Sequence, residues 1–505
     1  MTRHLPPALS SRRAFLQASV GAAVGGALAA GCTQAARPGS PDRPPNILFV
    51  FSDQHRGMDL GCAGNREVRS PTLDRLAAEG VRFDRCYSNT PVCTPTRGTI
   101  LTGLYAHQHL ATVNDVPLPE DQVTIADILR KAGYRTGYIG KWHLDGVPRN
   151  RFTPPGPRRQ GFDDFWAAFN CSHAYMNARL FRDDPTPVPL KGYEPIGQTD
   201  LALEFLRRPD PRPWCLFLSW GPPHAPYHQV PDEFKAMYDA AALTLRPNVQ
   251  AEPPAPFKRL GRSDDRADLA GYYAHVTAID AQMKRLLDAL AETGDDRRTI
   301  VVYSSDHGDM LGSHGMHKKE QPWEEAIRIP LIVRWPERVP AGRTTAALAG
   351  TVDFVPTLLA LAGVEAPTAL PGTDLSAAVL GASEAGADDV LLAVPIVVDQ
   401  GQAQNVREWR GLRTPRYTYA RWWDGRGWML YDNQADPHQL RNLIDAPSHK
   451  AVRDRLEARL RRRLADVGDP CVSWQDTVRR LGLVDVWNRR EEVMHRASPR
   501  RVEGT

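Results

Sequence analysis

Five short runs of consecutive apolar residues, each bounded by turn-forming residues, stand out along the chain up to residue 335: Asn46 to Ser52, Arg135 to Ile139, Trp214 to Trp220, Thr299 to Ser305 and Ile329 to Trp335. Runs this short and this uniformly apolar predict strands buried on both faces, as in a parallel sheet covered by helices. Between them, over Thr72 to Glu79, Thr124 to Ala132 and Ala270 to Thr293, apolar residues return at three- and four-residue spacing. That is the period of a helix with one buried face. Alternation of the two patterns predicts an α/β fold with a mostly parallel central sheet flanked by helices. The residues just past the runs are polar: Asp53, Lys141 with His143, His224, and Asp306 with His307. Ligands of open α/β sheets bind beyond the carboxyl ends of the strands, so these distant residues are expected to converge at one edge.

The pattern divides the chain. Residues 46–366 read as the large α/β domain that carries the polar strand ends, and the Gly/Ala-rich residues 367–388 as a linker. Residues 389–488 read as a small α+β domain, with a strand at Val390 to Val398, a hairpin pair at Gly411 to Arg421 and Gly427 to Tyr431, and a helix from Lys450 to Val467. The Arg-rich residues 489–505 are expected to form a solvated or loosely docked tail. At the other end, residues 1–32 read as an export signal: Ser11, Arg12, Arg13, Ala14, Phe15 and Leu16 precede a weakly apolar Ala/Gly stretch, and the arrangement resembles a twin-arginine signal. The stretch is too weakly apolar for a membrane span. Ala29, Ala30, Gly31 and Cys32 resemble a lipobox, which makes Cys32 a lipidated first residue; cleavage near Ala30 without a lipid is the alternative. Residues 33–45 would be a flexible tether. The expectation is an exported bacterial protein, periplasmic or membrane-anchored as a lipoprotein, touching a membrane only through that lipid.

Composition narrows the classes. With 42% apolar and 24% charged residues the chain belongs with soluble globular proteins and not with disordered ones. A formal net charge of +4 is too small for a nucleic-acid footprint, so no nucleic-acid partner is expected. Seven cysteines include Cys32 and Cys93, and the other five show no close-spaced pair of the kind that holds zinc.

The chemistry is concentrated in four places. Cys93, Thr94, Pro95, Thr96, Arg97 and Gly98, followed by Leu101, Thr102 and Gly103, resemble the signature of the sulfatase family, with Thr96 where that family most often has Ser. Gly140, Lys141, Trp142 and His143 resemble a second element of the family, and Pro222 to Pro226, carrying His224, a third. Gly308 to Pro330 resembles the stretch that comes after its metal pair, in a register that puts Lys319 rather than Lys318 at the site. Gly411 to Tyr419 and Leu430 to Leu443 are similar to the closing segments of bacterial sulfatases, so the resemblance spans nearly the whole chain after the signal.

This resemblance to formylglycine-dependent sulfatases of the alkaline phosphatase superfamily implies that a formylglycine-generating enzyme oxidises Cys93 to an aldehyde, hydrated to a geminal diol. One hydroxyl takes the sulfate and the second expels it by reforming the aldehyde. It implies that Arg97 positions the nucleophile, Lys141 holds the diol and a sulfate oxygen, and His143 removes a proton, a task suited to a histidine near neutral pKa. His224 and Lys319 would bind sulfate and stabilise the departing oxygen. One divalent cation would sit on Asp53, Gln54, Asp306, His307 and the oxygen carried at Cys93, with Ca²⁺ first and Mn²⁺ or Mg²⁺ next. The family often has a second Asp where this chain has Gln54, and Asn where it has His307. The implied substrate is a sulfated glycan or small molecule, carbohydrate or aryl. Two alternatives stand beside this. Phosphonate monoester or phosphodiester hydrolases share the nucleophile, and some share an Asp-Gln pair like Asp53 and Gln54. A lipoprotein that binds sulfated glycans without turnover would result if Cys93 stayed unmodified.

Overall fold

The computed structural model describes residues 44–261, 264–397 and 399–503. The segments expected to be an export signal and a tether, up to residue 43, and Val398 lie outside these residues. Fourteen strands occur among them. The large sheet uses β1 (Asn46–Asp53), β2 (Val81–Tyr87), β3 (Arg135–Lys141), β4 (Phe165–Phe169), β7 (Trp214–Pro223), β8 (Thr299–Ser305), β9 (Leu331–Arg334) and β10 (Arg343–Gly350). Their order is β10-β2-β9-β8-β1-β7-β3-β4. β9 runs antiparallel to both neighbours and the other pairings are parallel, so the sheet is mostly parallel, as the apolar runs predict. β5 (Arg179–Leu180) and β6 (Val188–Pro189) form a two-residue ladder.

Alternation along β1 explains why it is buried throughout. Ile47, Phe49 and Phe51 enter one core with the helices Cys93–Thr102, Ile125–Lys131 and Phe354–Ala362. Leu48 and Val50 enter the opposite core with Pro71–Ala78, Glu194–Arg207 and Asp265–Thr293. Each face of the pleat thus has its own hydrophobic layer, and each layer its own helices. The long helix Asp265–Thr293 starts five residues before the predicted boundary because Asp264 caps it, its side chain accepting from the amides of Arg266 and Ala267.

The second sheet is antiparallel, β11 (Val390–Val394), β12 (Trp409–Arg413), β13 (Tyr417–Trp422) and β14 (Gly427–Asp432), in that order. The segment read as one strand over Gly411 to Arg421 is two, broken by a turn at residues 414–416. Helix Lys450–Val467 lays Leu456, Leu460 and Leu464 against Leu412, Tyr419 and Leu430 of this sheet. Leu375, Ala378 and Val379, inside the predicted linker, are buried in the first core. The Arg-rich end also departs from expectation: helix Val484–Met494 runs through its start, Trp487 and Val502 are buried with Val113 and Val116, and Arg490 is 0% exposed. Apolar residues spaced for a helix outweighed the surrounding charge.

Candidate active site

The four polar strand ends belong to four neighbouring strands. β8, β1, β7 and β3 lie side by side, and Asp306, Asp53, His224 and Lys141 stand at their carboxyl ends. Lys141 can take its place because Gly140 precedes it: at φ +104°, with a Cβ position 2.0 Å from the Ser219 carbonyl oxygen, only glycine fits against β7. Cys93 is the first residue of helix Cys93–Thr102, which Gly103 ends at φ +70°. A helix N-terminus favours negative charge at that position.

Arg97, one turn on, ties the ends together. Its Nε and Nη2 donate to Asp306 Oδ2 (3.1 and 3.0 Å), Nη2 also to Asp53 Oδ2 (3.2 Å), and Nη1 to the Lys141 carbonyl (2.6 Å) and Ser219 Oγ (2.8 Å). Lys141 Nζ donates to Asp53 Oδ2 at 2.5 Å. Burial favours a protonated Asp53, but Lys141, His224 and Arg97 together hold it well below the usual carboxylate range. Asp306 is pushed up, by burial and by the Asp53 charge it faces.

Asp53, Cys93, Asp306 and His307 offer ligand atoms that all lie within 4.8 Å of one another, and all four residues are buried. His307 Nδ1 donates to the Gly308 carbonyl (2.9 Å), which leaves Nε2 facing Cys93 Sγ (3.2 Å) and both carboxylates (3.6 Å each). A fixed tautomer and two facing carboxylates fit a divalent cation. Gln54 is turned differently: Nε2 donates to Asp309 Oδ2 (2.5 Å), and Oε1 accepts from Lys319 Nζ (2.9 Å).

Lys319 Nζ also lies 2.9 Å from His224 Nε2, while His224 Nδ1 donates to the Ala225 carbonyl. Burial, then Lys319 and His173, hold His224 well below its ordinary value, so it is neutral. His143 behaves oppositely. Burial opposes its charge, but the Cys171 sulfur, the hydrogen bond to Asp115 (3.2 Å) and Cys93 push it up to about 10. A near-neutral base is therefore not what the thiol form of the site contains. Replacing the Cys93 sulfur would remove the last of these causes, while Cys171 and Asp115 would still raise it.

Six expected residues, Cys93, Arg97, Lys141, His143, His224 and Lys319, thus converge with Asp53, Asp306 and His307. Sequence reasoning missed Asp115, which Arg149 also grips (2.8 and 2.7 Å), and His173, stacked on His224 at 4.3 Å. His173 had a usable signal, since it comes after the apolar run Phe165 to Phe169 as the other site residues come after theirs. Cys93, His143, His173, His224 and Lys319 face a cavity of about 190 Å³. Trp422 and Trp428 stack on each other at 3.9 Å beside Phe257 and Trp409, which makes them packing residues. Asn248, His314 and Lys318 bind neighbouring loops; Lys318 lies over the Tyr227 ring.

The Sulfatase family model matches residues 45–364, and the model for the C-terminal part of N-sulphoglucosamine sulphohydrolase matches residues 312–466. The chain belongs to the sulfatase family, the hydrolases of sulfuric esters, and has its alkaline-phosphatase-like fold. It is 38% identical to an ulvan-active sulfatase of Formosa agariphila over 84% of this chain and 82% of that one. It is 29% identical to an N-acetylglucosamine-6-O-sulfatase of Bacteroides thetaiotaomicron over 79% and 82%. A solved enzyme bound to its substrate D-glucosamine-2-N,6-O-disulfate superposes with a TM-score of 0.75 and 25% identity over 85% of this chain and 99% of that one.

Proposed function

We propose that the chain hydrolyses the sulfate ester of a carbohydrate, with Cys93 converted to formylglycine as the nucleophile. The observation that carries the reading is the cavity itself. Its lining gathers Lys319, His143, His224 and Arg149 around residue 93, with Lys141 and Arg97 buried behind on Asp53, and none of the lining residues is aliphatic or a carbocyclic aromatic. A cationic lining suits a sulfate; polar walls suit a hydroxylated leaving group and not an aryl or steroid ring.

In this reading Lys141 and Arg97 fix the nucleophilic oxygen at position 93 against the sulfur, and His143, held by Asp115, takes the proton that leaves it. Lys319 faces the departing oxygen, where negative charge grows as the sulfur–oxygen bond lengthens, and supplies its proton, while the neutral His224 holds the Lys319 ammonium through Nε2. A divalent cation on Asp53, Asp306 and His307, Ca²⁺ first by its oxygen donors and Mn²⁺ or Mg²⁺ next, would polarise the sulfate oxygens. Gln54 would join only after turning from Lys319. Maturation would require a formylglycine-generating enzyme. Export on the twin-arginine signal, with a lipid on Cys32, belongs to the same reading; among the described residues no helix is long and apolar enough to cross a membrane.

The test is the protein co-produced with a formylglycine-generating enzyme. A mass loss of about 18 Da on the tryptic peptide containing Cys93, from exchange of thiol for aldehyde, together with faster turnover of 4-nitrophenyl sulfate than of a phenylphosphonate ester, supports the reading. Preference for the phosphonate would make the chain a phosphonate hydrolase. A persistent thiol with tight sulfated-glycan binding and no turnover would make it a binding protein.

A further inference from the structure

The part of the cavity wall formed by Asn114 and Asp399 is backed by the last described residues of the chain. Helices Trp474–Arg480 and Val484–Met494 lie beyond residue 466, where the family matches end. They pack Val478, Leu483 and Trp487 with Val502 against Val113 and Val116. Between those two valines the loop turns its other residues the opposite way: Asn114 and Asp115 face the site, Asn114 Oδ1 accepting from the amide of Thr94, next to the nucleophile, at 3.0 Å.

Arg490 links this wall to the rim. Its Nε donates to the Asn114 carbonyl (2.8 Å), Nη1 to Glu491 Oε1 (2.6 Å), and Nη2 lies 3.4 Å from both oxygens of Asp399. Asp399 sits at φ +50° and ψ −100°, a conformation an aspartate keeps only where its surroundings hold it. Asp399, Gln400 and Asn114 line the cavity, with Arg149 and Glu320. Gln400 Oε1 is buried there, with no hydrogen-bond partner among the described residues. Buried acceptors are nearly always satisfied, so this one points to a donor that arrives with a ligand.

We propose that Asp399, Gln400 and Asn114 form a subsite that reads the hydroxyls of the sugar ring bearing the sulfate, and that Arg490 is the positioning residue that holds it. The inference rests on the sulfate-ester reading above. A carboxylate offers two acceptor oxygens and no donor, and Gln400 Oε1 adds a third acceptor beside them. Sugar hydroxyls supply matching donors, whereas an aryl sulfate has none to give. At about 190 Å³ the cavity is small beside the roughly 300–1,000 Å³ of pockets that enclose larger ligands, so one ring and its sulfate fill it.

The experiment compares kcat/KM on 4-nitrophenyl sulfate with that on the best of a panel of monosaccharide sulfates, for the formylglycine-bearing enzyme and for Arg490→Met, Arg490→Lys and Gln400→Ala. In Arg490→Met and in Gln400→Ala the sugar-to-aryl ratio should fall about tenfold, about 1.4 kcal/mol, through KM on the sugar. Arg490→Lys should recover part of the loss. Gln400→Ala decides the matter if Arg490→Met does not fold. An equal loss on both esters, or a ratio that stays within about twofold in every folded variant, overturns the proposal and leaves the sulfate reading standing. An unmutated enzyme that turns over neither ester overturns both.

Discussion

Glu194 gives the most direct test of how the site is supported from behind. It is 0% exposed, at the start of helix Glu194–Arg207, and its Oε1 accepts from the amide of Gly221, three residues before His224. Burial raises its pKa from the ordinary 4.5 to about 8, more than the Gly221 amide, Gln198 and Lys141 lower it, and the Asp53 charge adds to the rise. Below the ordinary value both folded and unfolded chains hold the proton. Between the two values the unfolded chain releases it and the folded chain keeps it, so stability falls as pH rises, by about 1.4 kcal/mol per unit. Above the folded value the penalty is complete, on the order of 4–5 kcal/mol. For a chain this long that amounts to about 4–5 °C in Tm. Glu194→Gln keeps an acceptor for Gly221 and never ionises. Thermal unfolding of both proteins at one scan rate, from pH 5 to pH 8, should show the variant gaining on the parent by about 3–4 °C, the part of that penalty that develops in this window. A Tm difference that stays flat over this range refutes the reasoning, because it would mean that Glu194 ionises in the folded chain as easily as in the unfolded one.

Three further outcomes are expected of the site. Arg97→Lys strands Asp306 and leaves Asp53 to Lys141 alone, since an ammonium cannot repeat the forked contacts of a buried guanidinium; we expect a loss of about 3–5 kcal/mol in thermal or urea unfolding, and a variant as stable as the parent would contradict the geometry. Adding Ca²⁺ to EDTA-stripped protein should raise stability by about 2.7 kcal/mol at a hundredfold excess over Kd, and Asp306→Asn should abolish the rise; no response to Ca²⁺, Mn²⁺ or Mg²⁺ would sink the cation site. Gly308→Ala would set a Cβ 2.0 Å from the Glu325 carbonyl oxygen, which must shift. The expected cost is about 1–3 kcal/mol with weakened cation binding by neighbouring His307, and calorimetric titration with Ca²⁺ would show whether binding is untouched.

The centre of the sheet was legible because β1, β3, β7 and β8 are buried on both faces and leave uninterrupted apolar runs. The periphery was not. β2 alternates buried and half-buried positions and carries Arg82, Asp84 and Arg85, while β10 begins with Arg and two threonines. Overlooking β4 hid His173, since a residue is recognised at a strand end only when the strand is. Asp115, Arg149 and Asp399 come from loops whose course depends on what packs behind them, and no local pattern records that packing. The Arg-rich end misled for a related reason: Arg490 looks solvated in sequence, yet its donors are met by Asn114, some 376 residues earlier, and by Asp399.

The burial of Cys93 sets a deadline. In the finished fold Cys93 is 1% exposed, on the first turn of a helix facing Asp53 at the end of β1 and His307 just after β8, and it opens onto the small cavity. The formylglycine-generating enzyme of the proposed reading would have to grip the peptide around Cys93 before this burial is complete. Under the proposed reading, oxidation of Cys93 and folding would compete for the same newly made chain, and the yield of active protein would be decided by which comes first. Slow closure of a sheet whose central strands lie some 250 residues apart, as Ser52 and Ser305 do, lengthens the interval in which the peptide is still open.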